Sequence, residues 1–499
     1  MKKVQSLDPR TAPLELTPEE FRSAGHALID EITKLHRFID RKPVTTAKSP
    51  GQIRMLLHPK SFPPKGMKAL PLLKKTTKML FKDSLFNSHP KFWGYISSSP
   101  APIGILGDLL ASSVNPNVGA FALSPVATEI EAQTIRWIAE MIGYPTDCGG
   151  ILVSGGNTAN FACFLSARKA KTPWDIRKQG VAYGGKQLRA YCSTETHTWI
   201  QKAADMYGLG TNAVAFIPAD EHQRIDVAAL KKQLQEDKAK GFLPFLLVGT
   251  AGTVSTGAID PLRKLADVAR EFNLWYHIDG AYGGFAAVLR NAVDDMKIFR
   301  DADSIAVDPH KWLYAPLEAG CALVRDPNTL RDTFSYHPPY YRFDDNREEG
   351  LINYYELGPQ NSRGFRALKV WLAMKQVGRK GYERMIADDI ELARRLYDEV
   401  QTYPDLEALT HGLSITTFRY APQNLRDGSS QSEEYLNKLN TELLARLQTS
   451  GKAYPSNALV HRKYAIRVCI VNFRTTLKDV LALPKIVIDL GRRIEMDWR

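Results

Sequence analysis

Short apolar runs alternate with amphipathic stretches along the middle of the chain. A continuous apolar run is typical of a strand that is buried on both faces, and strands that alternate with helices form mostly parallel sheets. We therefore predict an α/β fold whose sheet is covered by helices on both faces. The predicted strands span residues 151–153, 188–192, 213–217, 244–250, 274–278, 304–307 and 320–324.

The N-terminal segment begins with a strong helix-start signal. Thr17 can act as N-cap, Pro18 occupies the first helical position and Glu20 completes a capping box. Apolar residues then follow at helical spacing, with little nearby sequence to pack against. This helix is expected to dock on the main body or on another subunit. The stretch 42–65, rich in Pro, Ser and Lys, predicts an extended connection.

The pattern changes after Arg363, where two long helices are predicted at 365–376 and 381–400. Strands at 413–419 and 465–472 then bracket a helix near 432–448, which is typical of a smaller α+β domain. We predict three parts: a helical arm for dimerisation (1–91), a large domain (92–378) and a small C-terminal α+β domain (379–499).

Composition and charge narrow the classes of protein. The 499 residues are 44% hydrophobic and 24% charged, which suits a soluble chain with a large core. The net charge of +12 is spread along the chain without a basic arm, so no nucleic-acid partner is expected. Five scattered cysteines, no secretion signal and no long apolar run predict a cytoplasmic protein that does not bind membranes.

Two apolar runs each deliver an ionisable side chain where the predicted strand ends. The first ends at Asp279 and is followed by small residues that include Ala281, which leaves room for a flat ring. The second ends in Asp308-Pro309-His310-Lys311. Open α/β sheets bind ligands at the carboxyl ends of their strands. Farther back, a Gly155-Gly156 turn before a predicted helix can bring backbone N–H groups close to an anion.

These groups together suit pyridoxal 5'-phosphate. Lys311 can form a Schiff base, Asp279 can pair with the pyridine nitrogen and the glycine turn can hold the phosphate. Each group alone has a plainer explanation: a tight turn, a helix-capping carboxylate or a surface lysine. Asp279 and Lys311 on neighbouring strand ends are more specific than either residue alone.

Two further residues are candidates for contacts to the ring. His197, just after the strand at 188–192, could stack on the ring and contact the substrate carboxylate. A lone histidine at a helix start is nevertheless common. Thr253 lies in a loop rich in hydroxyl groups, where structural hydrogen bonds are the usual role. No metal-ligand pattern is evident.

The segments around Asp279 and Lys311 resemble those of group II pyridoxal-phosphate-dependent amino-acid decarboxylases, in the branch of aromatic-L-amino-acid and tyrosine decarboxylases. His277-Ile278-Asp279-Gly280-Ala281-Tyr282-Gly283-Gly284 and Asp308-Pro309-His310-Lys311-Trp312 carry the resemblance. Ser154-Gly155-Gly156-Asn157 and Glu195-Thr196-His197 support it. The resemblance implies the fold of fold type I, or aspartate aminotransferase-like, pyridoxal-phosphate enzymes.

The resemblance also implies site residues. Lys311, Asp279 and His197 are expected to form the Schiff base, to pair with the pyridinium and to stack on the ring. A catalytic loop residue, Tyr340, is expected to protonate the quinonoid carbon after CO₂ leaves, although the neighbouring Tyr341 leaves the register open by one. Residues that line the phosphate or its surroundings are Gly156, Asn157, Asp308 and His310, and Arg467 is expected to shape the site from the C-terminal domain.

The family resemblance implies a homodimer with active sites at the interface. The substrate side chain would then contact Phe92, Trp93, Tyr95 and Ser98, whose plainer role is core packing. Ser362 falls where a small residue separates phenolic from indolic substrates in plant relatives. Asp308 and the Gly155-Gly156-Asn157 turn depart from the animal enzymes, which bears on the substrate rather than on the cofactor.

The predicted reaction is decarboxylation of an L-amino acid to an amine and CO₂, with an aromatic substrate such as tyrosine, DOPA, phenylalanine or tryptophan. Two alternatives remain open, and a third is opposed by the residues present. The substrate could be acidic, glutamate or aspartate. The enzyme could be an aldehyde synthase or an aminotransferase. A non-catalytic family member would lack the lysine or the aspartate, and neither is missing.

Overall fold

The computed structural model describes residues 12–57, 61–336 and 351–498. The first helix, α1 (Pro18–Phe38), begins as predicted. The Glu20 N–H donates to Thr17 Oγ1 at 3.1 Å, and the Thr17 N–H donates to Glu20 Oε2 at 3.1 Å. Ala24 is the buried residue of α1, which packs on α3 (Ala69–Asp83). Phe21 and Ile29 of this helix stay exposed, whereas Leu28, Ile32 and Leu35 are partly buried.

The prediction of an extended connection over 42–65 is wrong in its middle. Helix α2 (Pro50–Leu57) lies there. The Ser49 N–H donates to Gln52 Oε1 at 2.8 Å and the Gln52 N–H donates to Ser49 Oγ at 3.3 Å, so the serine and the glutamine cap the helix reciprocally. Proline at the first helical position supports a helix rather than breaking it.

A seven-stranded, mostly parallel sheet forms the centre of the molecule, in the order β1-β7-β6-β5-β4-β2-β3. The pairs β6-β5, β5-β4, β4-β2 and β2-β3 are parallel, whereas β7 pairs antiparallel with β1 and β6. Its strands are β1 (Gly149–Val153), β2 (Leu188–Ser193), β3 (Val214–Ile217), β4 (Leu243–Thr250), β5 (Trp275–Asp279), β6 (Ser304–Val307) and β7 (Gly320–Val324).

Helices cover this sheet, and its strands are almost wholly buried, as the continuous apolar runs predict. Eight helices lie between residue 102 and the C-terminal part. They are α4 (Pro102–Val114), α5 (Pro125–Ile142), α6 (Gly156–Lys171), α7 (Ile176–Gln179), α8 (Trp199–Met206), α9 (Val227–Ala239), α10 (Leu262–Phe272) and α11 (Asn328–Phe334).

The C-terminal part builds a separate four-stranded antiparallel sheet in the order β10-β11-β9-β8. The long helix α12 (Ala367–Gln401) leads into it and is interrupted at Gly378, where φ is 66°, so the two helices predicted there meet at a kink. The remaining elements are β8 (Leu406–Gly412), β9 (Ile415–Tyr420), α13 (Ser430–Thr449), β10 (Ser456–Val460), β11 (Lys463–Cys469), α14 (Leu477–Leu481) and α15 (Leu483–Trp498).

The strands β8 and β10 are absent from the sequence-based prediction. Residues of β8 are mostly half-buried, and β10 alternates buried and exposed positions, so neither forms a continuous apolar run. The predicted α/β sheet and the smaller α+β unit are otherwise confirmed, while the boundaries at 91 and 378 stay predictions. No helix in the described part of the chain is long and apolar enough to cross a bilayer.

Candidate active site

The parallel strands β4, β5 and β6 end side by side at one edge of the large sheet. Thr250 pairs with Asp279, and Asp279 pairs with Ala306, two residues before Asp308. Because parallel neighbours end on the same side, the carboxylates of Asp279 and Asp308 emerge at a shared edge. The sequence-based prediction that the two apolar runs deliver their polar ends together is confirmed.

Lys311 and Asp308 form a buried ion pair at this edge. Lys311 Nζ lies 3.0 Å from Asp308 Oδ2, and the Asp308 side chain is 1% exposed. Neither Asp308 oxygen has a well-directed hydrogen bond among the described residues, so the carboxylate is held by the charge of the amine. A buried carboxylate without hydrogen-bonding partners is unusual and marks a site rather than a core contact.

The glycine turn between β1 and α6 lies directly against Asp308. Gly155 adopts φ of 86°, and a Cβ on Gly156 would lie 2.6 Å from Asp308 Oδ2. Only glycine therefore fits here, and it leaves the first N–H groups of α6 uncovered by side chains. Those groups have no acceptor within the helix and can bind an anion such as a phosphate.

The Asp279 carboxylate is held by two donors. The Trp199 indole N–H donates to Oδ2 at 2.8 Å, and the Ala281 N–H donates to Oδ1 at 3.1 Å. Both hydrogen bonds fix the orientation of the carboxylate. Sequence reasoning missed Trp199, since it lies 80 residues from Asp279 along the chain.

A buried histidine, His277, lies two residues before Asp279 on β5. His277 Nδ1 is 2.9 Å from Ser304 Oγ and Nε2 is 2.7 Å from Asn160 Oδ1. Burial lowers the pKa of His277 to about 4, with Asp279 acting in the opposite direction. The ring is therefore neutral at pH 7, and His277 is a structural support under the site.

His197 lies near both ionisable groups of the site. Burial is the main cause that lowers its pKa, Asp279 raises the pKa and Lys311 lowers it. Its ring is nevertheless exposed in the single chain. The Trp199 N–H donates to His197 Nδ1 at 3.3 Å, which leaves the proton of the neutral ring on Nε2.

Three other predicted cofactor contacts differ in their surroundings. His310 Nε2 lies 3.7 Å from Asp308 Oδ2, beside the glycine turn. Asn157 lies in the first turn of α6 and is partly exposed. Thr253 is fully buried, with Oγ1 3.0 Å from Thr256 Oγ1 and accepting the Ala258 N–H at 3.1 Å. Its hydroxyl serves the loop, and a contact to the ring stays a prediction.

The predicted substrate residues divide between the site and the core. Ser98 Oγ donates to the His310 carbonyl at 2.7 Å, and the Tyr95 ring is largely exposed. Phe92 is buried and stacks on Tyr454. Trp93 is 1% exposed, packs in the core of the small domain and donates to Thr475 Oγ1 at 3.1 Å. The structure places Trp93 in that core and does not bring it to the sheet edge.

Arg467, on β11, reaches the segment that carries Tyr95. Its Nη1 donates to the Tyr95 carbonyl at 3.2 Å and to Ser456 Oγ at 2.9 Å, while Nε and Nη2 have no hydrogen-bond partner among the described residues. Ser362 is exposed in the single chain. Tyr340 and Tyr341 lie outside the described residues.

A carboxylate, an amine and a glycine-lined helix start at one sheet edge define the class of pyridoxal-phosphate enzymes of fold type I. The model of the pyridoxal-dependent decarboxylase conserved domain matches residues 50–420. The chain belongs to this family, its cofactor is pyridoxal 5'-phosphate and it is a carboxy-lyase. The predicted membership of this decarboxylase family is confirmed.

Relatives agree along nearly the whole chain. An aromatic-L-amino-acid decarboxylase of Bacillus atrophaeus is 33% identical, covering 97% of this chain and 98% of that protein. A phenylacetaldehyde synthase of Petunia hybrida is 29% identical, with 91% of each chain covered. The structure of Catharanthus roseus tryptophan decarboxylase in complex with L-tryptophan aligns with a TM-score of 0.84 at 25% identity, covering 97% of this chain and 100% of that one.

Proposed function

We propose that this enzyme removes the carboxyl group of an L-amino acid with an aromatic side chain and releases the amine and CO₂. The convergence of Asp279, the Asp308–Lys311 pair and the start of α6 at one edge carries the assignment of the site. The aromatic substrate is supported by relatives named for aromatic amino acids, at up to 33% identity over 97% of the chain.

The residues at this edge fit the cofactor. Gly156 and Asn157 open α6 and would hold the phosphate, with His310 beside them. Lys311 would attach the cofactor through its amine, Asp279 would pair with the pyridine nitrogen and Ala281 leaves space for the ring. When bound, pyridoxal phosphate supplies an electron sink that stabilises negative charge at Cα.

The side chains around Lys311 and Asp279 are arranged for this role. Asp308 Oδ2 lies 3.0 Å from Lys311 Nζ, so this carboxylate holds the free amine at the sheet edge. Trp199 and Ala281 donate to the Asp279 carboxylate and keep it pointed in one direction. His197 is neutral, so its flat ring can stack without adding charge, and Nε2–H is available to the substrate carboxylate.

The substrate side chain would lie against the segment that carries Tyr95 and Ser98. This segment is joined to the small domain by Arg467, whose Nε and Nη2 have no hydrogen-bond partner in the part of the chain that the structure describes. Phe92 and Trp93 are buried and support this segment from the core rather than contacting the substrate. The exposed Ser362 and Tyr95 would be completed by a second subunit.

We infer a homodimer from the apolar surface of α4. Leu106, Leu109, Leu110 and Val114 are each at least half exposed. Contiguous apolar area of this kind is rare on a monomer and typical of a subunit interface. Light scattering should give twice the chain mass of 55.9 kDa. Leu109→Asp with Leu110→Asp should give monomers, whereas Leu459→Asp, an exposed leucine on β10, should not.

A second reaction deserves measurement, because a phenylacetaldehyde synthase is also similar over 91% of the chain. In that reaction the amino acid, O₂ and water give the aldehyde, CO₂, ammonia and hydrogen peroxide. The histidine and the loop tyrosine that are expected of a simple decarboxylase are both present in the sequence, as His197 and Tyr340.

Product analysis tests both reactions. Purified enzyme loaded with pyridoxal phosphate is incubated with tyrosine, DOPA, phenylalanine, tryptophan, glutamate and aspartate, and CO₂, amine, aldehyde and peroxide are measured. We expect amine and CO₂ in equal amounts from an aromatic substrate. Aldehyde with peroxide would replace the proposal by the oxidative reaction, and turnover of glutamate or aspartate alone would overturn the substrate class.

The cytoplasm is the proposed location. All five cysteines are free, and four of them are buried. Unpaired thiols suit a reducing compartment.

A further inference from the structure

A buried carboxylate outside the site is bonded to the turn that carries Lys311. Asp389, on α12, is 2% exposed. Its Oδ2 accepts the Trp312 indole N–H at 3.1 Å and the Tyr314 hydroxyl at 2.6 Å. These donors are one and three residues after Lys311. Burying a carboxylate costs free energy, and Asp389 lies outside the site, so its burial points to a role in holding this turn.

The turn that Asp389 holds has a strained backbone. Tyr314 has φ of 54°, in the left-handed region that a residue with a large side chain rarely adopts. Its N–H donates to the Lys311 carbonyl at 3.0 Å. Such a conformation persists only where the surroundings hold it in place. The hydrogen bond from the Tyr314 hydroxyl to Asp389 is one of those restraints.

The same turn is joined to the segment after Asp279. Trp312 stacks on Tyr282 with ring centroids 4.8 Å apart, and Tyr282 is three residues after Asp279. A shift of Trp312 would therefore move Lys311 and disturb the Asp279 segment together. A contact that fixes Trp312 therefore also fixes the distance between the Lys311 amine and the Asp279 carboxylate. Both groups must reach one cofactor.

We propose that Asp389 is a positioning residue that anchors Trp312 and Tyr314 and thereby sets where the Lys311 amine stands relative to Asp279. This inference rests on the proposed role of Lys311 as the attachment point. Asp389 touches neither substrate nor cofactor, and it acts through the turn.

The protonation state of Asp389 gives the anchor a measurable signature. Burial raises the pKa of Asp389 to about 7, against the hydrogen bonds from Tyr314, Trp312 and the Asn472 backbone. Asp388 on the same helix also raises it, and the neutral Cys469 thiol on β11 faces it. The ionised carboxylate accepts both donors, whereas the protonated one is a poorer acceptor. The anchor is therefore complete above pH 7 and weaker below it.

The test compares cofactor affinity in wild type and Asp389→Asn between pH 5.5 and 8.5, using cofactor-free protein titrated with pyridoxal phosphate. We expect Asp389→Asn to bind on the order of tenfold more weakly at pH 8.5, with the difference shrinking toward none at pH 5.5. Equal affinity at pH 8.5, or a loss that is the same at every pH, would overturn the positioning role.

Two further variants keep the test decisive. Tyr314→Phe removes one donor with little change in volume, so it should weaken binding by itself and add nothing in the Asp389→Asn background. Full additivity would contradict the shared anchor, and Tyr314→Phe carries the test if Asp389→Asn does not fold. Asp237→Asn is the matched control: Asp237 is also buried and accepts a tyrosine hydroxyl, from Tyr191 at 3.0 Å. It should leave cofactor affinity unchanged.

Failure of the positioning role can be told apart from failure of the proposed function. Borohydride reduction followed by peptide mapping shows whether wild type holds the cofactor on Lys311. Attachment elsewhere, or none, would overturn the proposed function and this inference with it. Attachment on Lys311 with unaltered binding in both variants would overturn the positioning role alone.

Discussion

Buried charged side chains in the small domain and at the edge of the large sheet differ in how completely they are paired. Arg419, on β9, is 1% exposed and fully paired: it donates to Glu407 at 2.6 Å and to both oxygens of Glu433 at 2.8 and 2.9 Å. Asp308, also 1% exposed, has the amine of Lys311 at 3.0 Å and no well-directed hydrogen bond within the described ranges of the chain.

The difference separates a structural group from a functional one. Buried charges that serve stability are matched by partners within the fold, because an unmatched buried charge is costly. At the edge of the large sheet such a charge is incompletely matched, since neither oxygen of Asp308 has a hydrogen-bond partner among the described residues. Changes at the edge should therefore alter chemistry, and changes around Arg419 should alter stability.

The largest effect is expected for Lys311→Ala. Without the amine, the cofactor cannot be held covalently, so activity should fall on the order of a thousandfold or more, as measured by CO₂ release. Lys311→Arg is the control for charge, since it keeps a cation near Asp308 but cannot attach the cofactor. It should be equally inactive while unfolding at a denaturant concentration close to wild type. Substantial activity in either variant would rule out Lys311 as the attachment residue.

Arg419→Met should lower the stability of the fold and leave the chemistry of the site unchanged. Removing the guanidinium leaves Glu407 and Glu433 without their shared partner, so we expect a loss of about 3 kcal/mol in the free energy of unfolding. Urea unfolding measures it, and the cofactor affinity of the folded fraction should not change. Arg394→Ala, which removes two exposed ion pairs on α12, is the control and should have little effect on stability. An Arg419 variant with altered cofactor affinity and unaltered stability would break the comparison.

The free energy of unfolding is expected to depend on pH because of His277, which is buried next to the active-site edge of the sheet. Its folded pKa of about 4 is lower than that of an unfolded histidine, so between these values the unfolded chain binds the extra proton. Its contribution to stability is present above pH 6.5 and is lost as the pH falls toward 4, to a total of up to about 3 kcal/mol. Urea unfolding from pH 4.5 to 7.5 should show a shallower dependence in His277→Gln. Parallel profiles would mean that His277 is not the group responsible.

The smallest effect is expected for Trp199→Phe, which keeps an aromatic ring and removes the indole N–H. Asp279 then loses one of its two donors, and we expect pyridoxal phosphate to bind on the order of tenfold more weakly. Fluorescence titration of the cofactor-free protein measures the affinity. Trp371→Phe, which loses an exposed indole contact to Gln133 Oε1, should bind as wild type does. Unchanged affinity in Trp199→Phe would show that Ala281 alone is enough to orient Asp279.

Prediction from the sequence worked where burial is uniform. The strands of the large sheet are mostly apolar and buried because helices cover the sheet, with Arg189 in β2 and the exposed Phe216 in β3 as exceptions. The alternation in β10 and the half-buried residues of β8 produced no continuous apolar run, and both strands were missed. Helix α2 was missed because proline and serine were interpreted as breakers rather than as a helix start.

The chain order of residues by itself determined the parallel sheet, the pairing of an acid and an amine at its edge and the glycine turn, because each depends on local pattern and on strand ends. Only the tertiary structure decided that Trp199 orients Asp279, that Trp93 belongs to the small domain's core and that Asp389 holds the Lys311 turn. Those contacts join residues 80, 382 and 77 positions apart. No local periodicity records which distant side chains meet, since that depends on how packed elements bring their surfaces together.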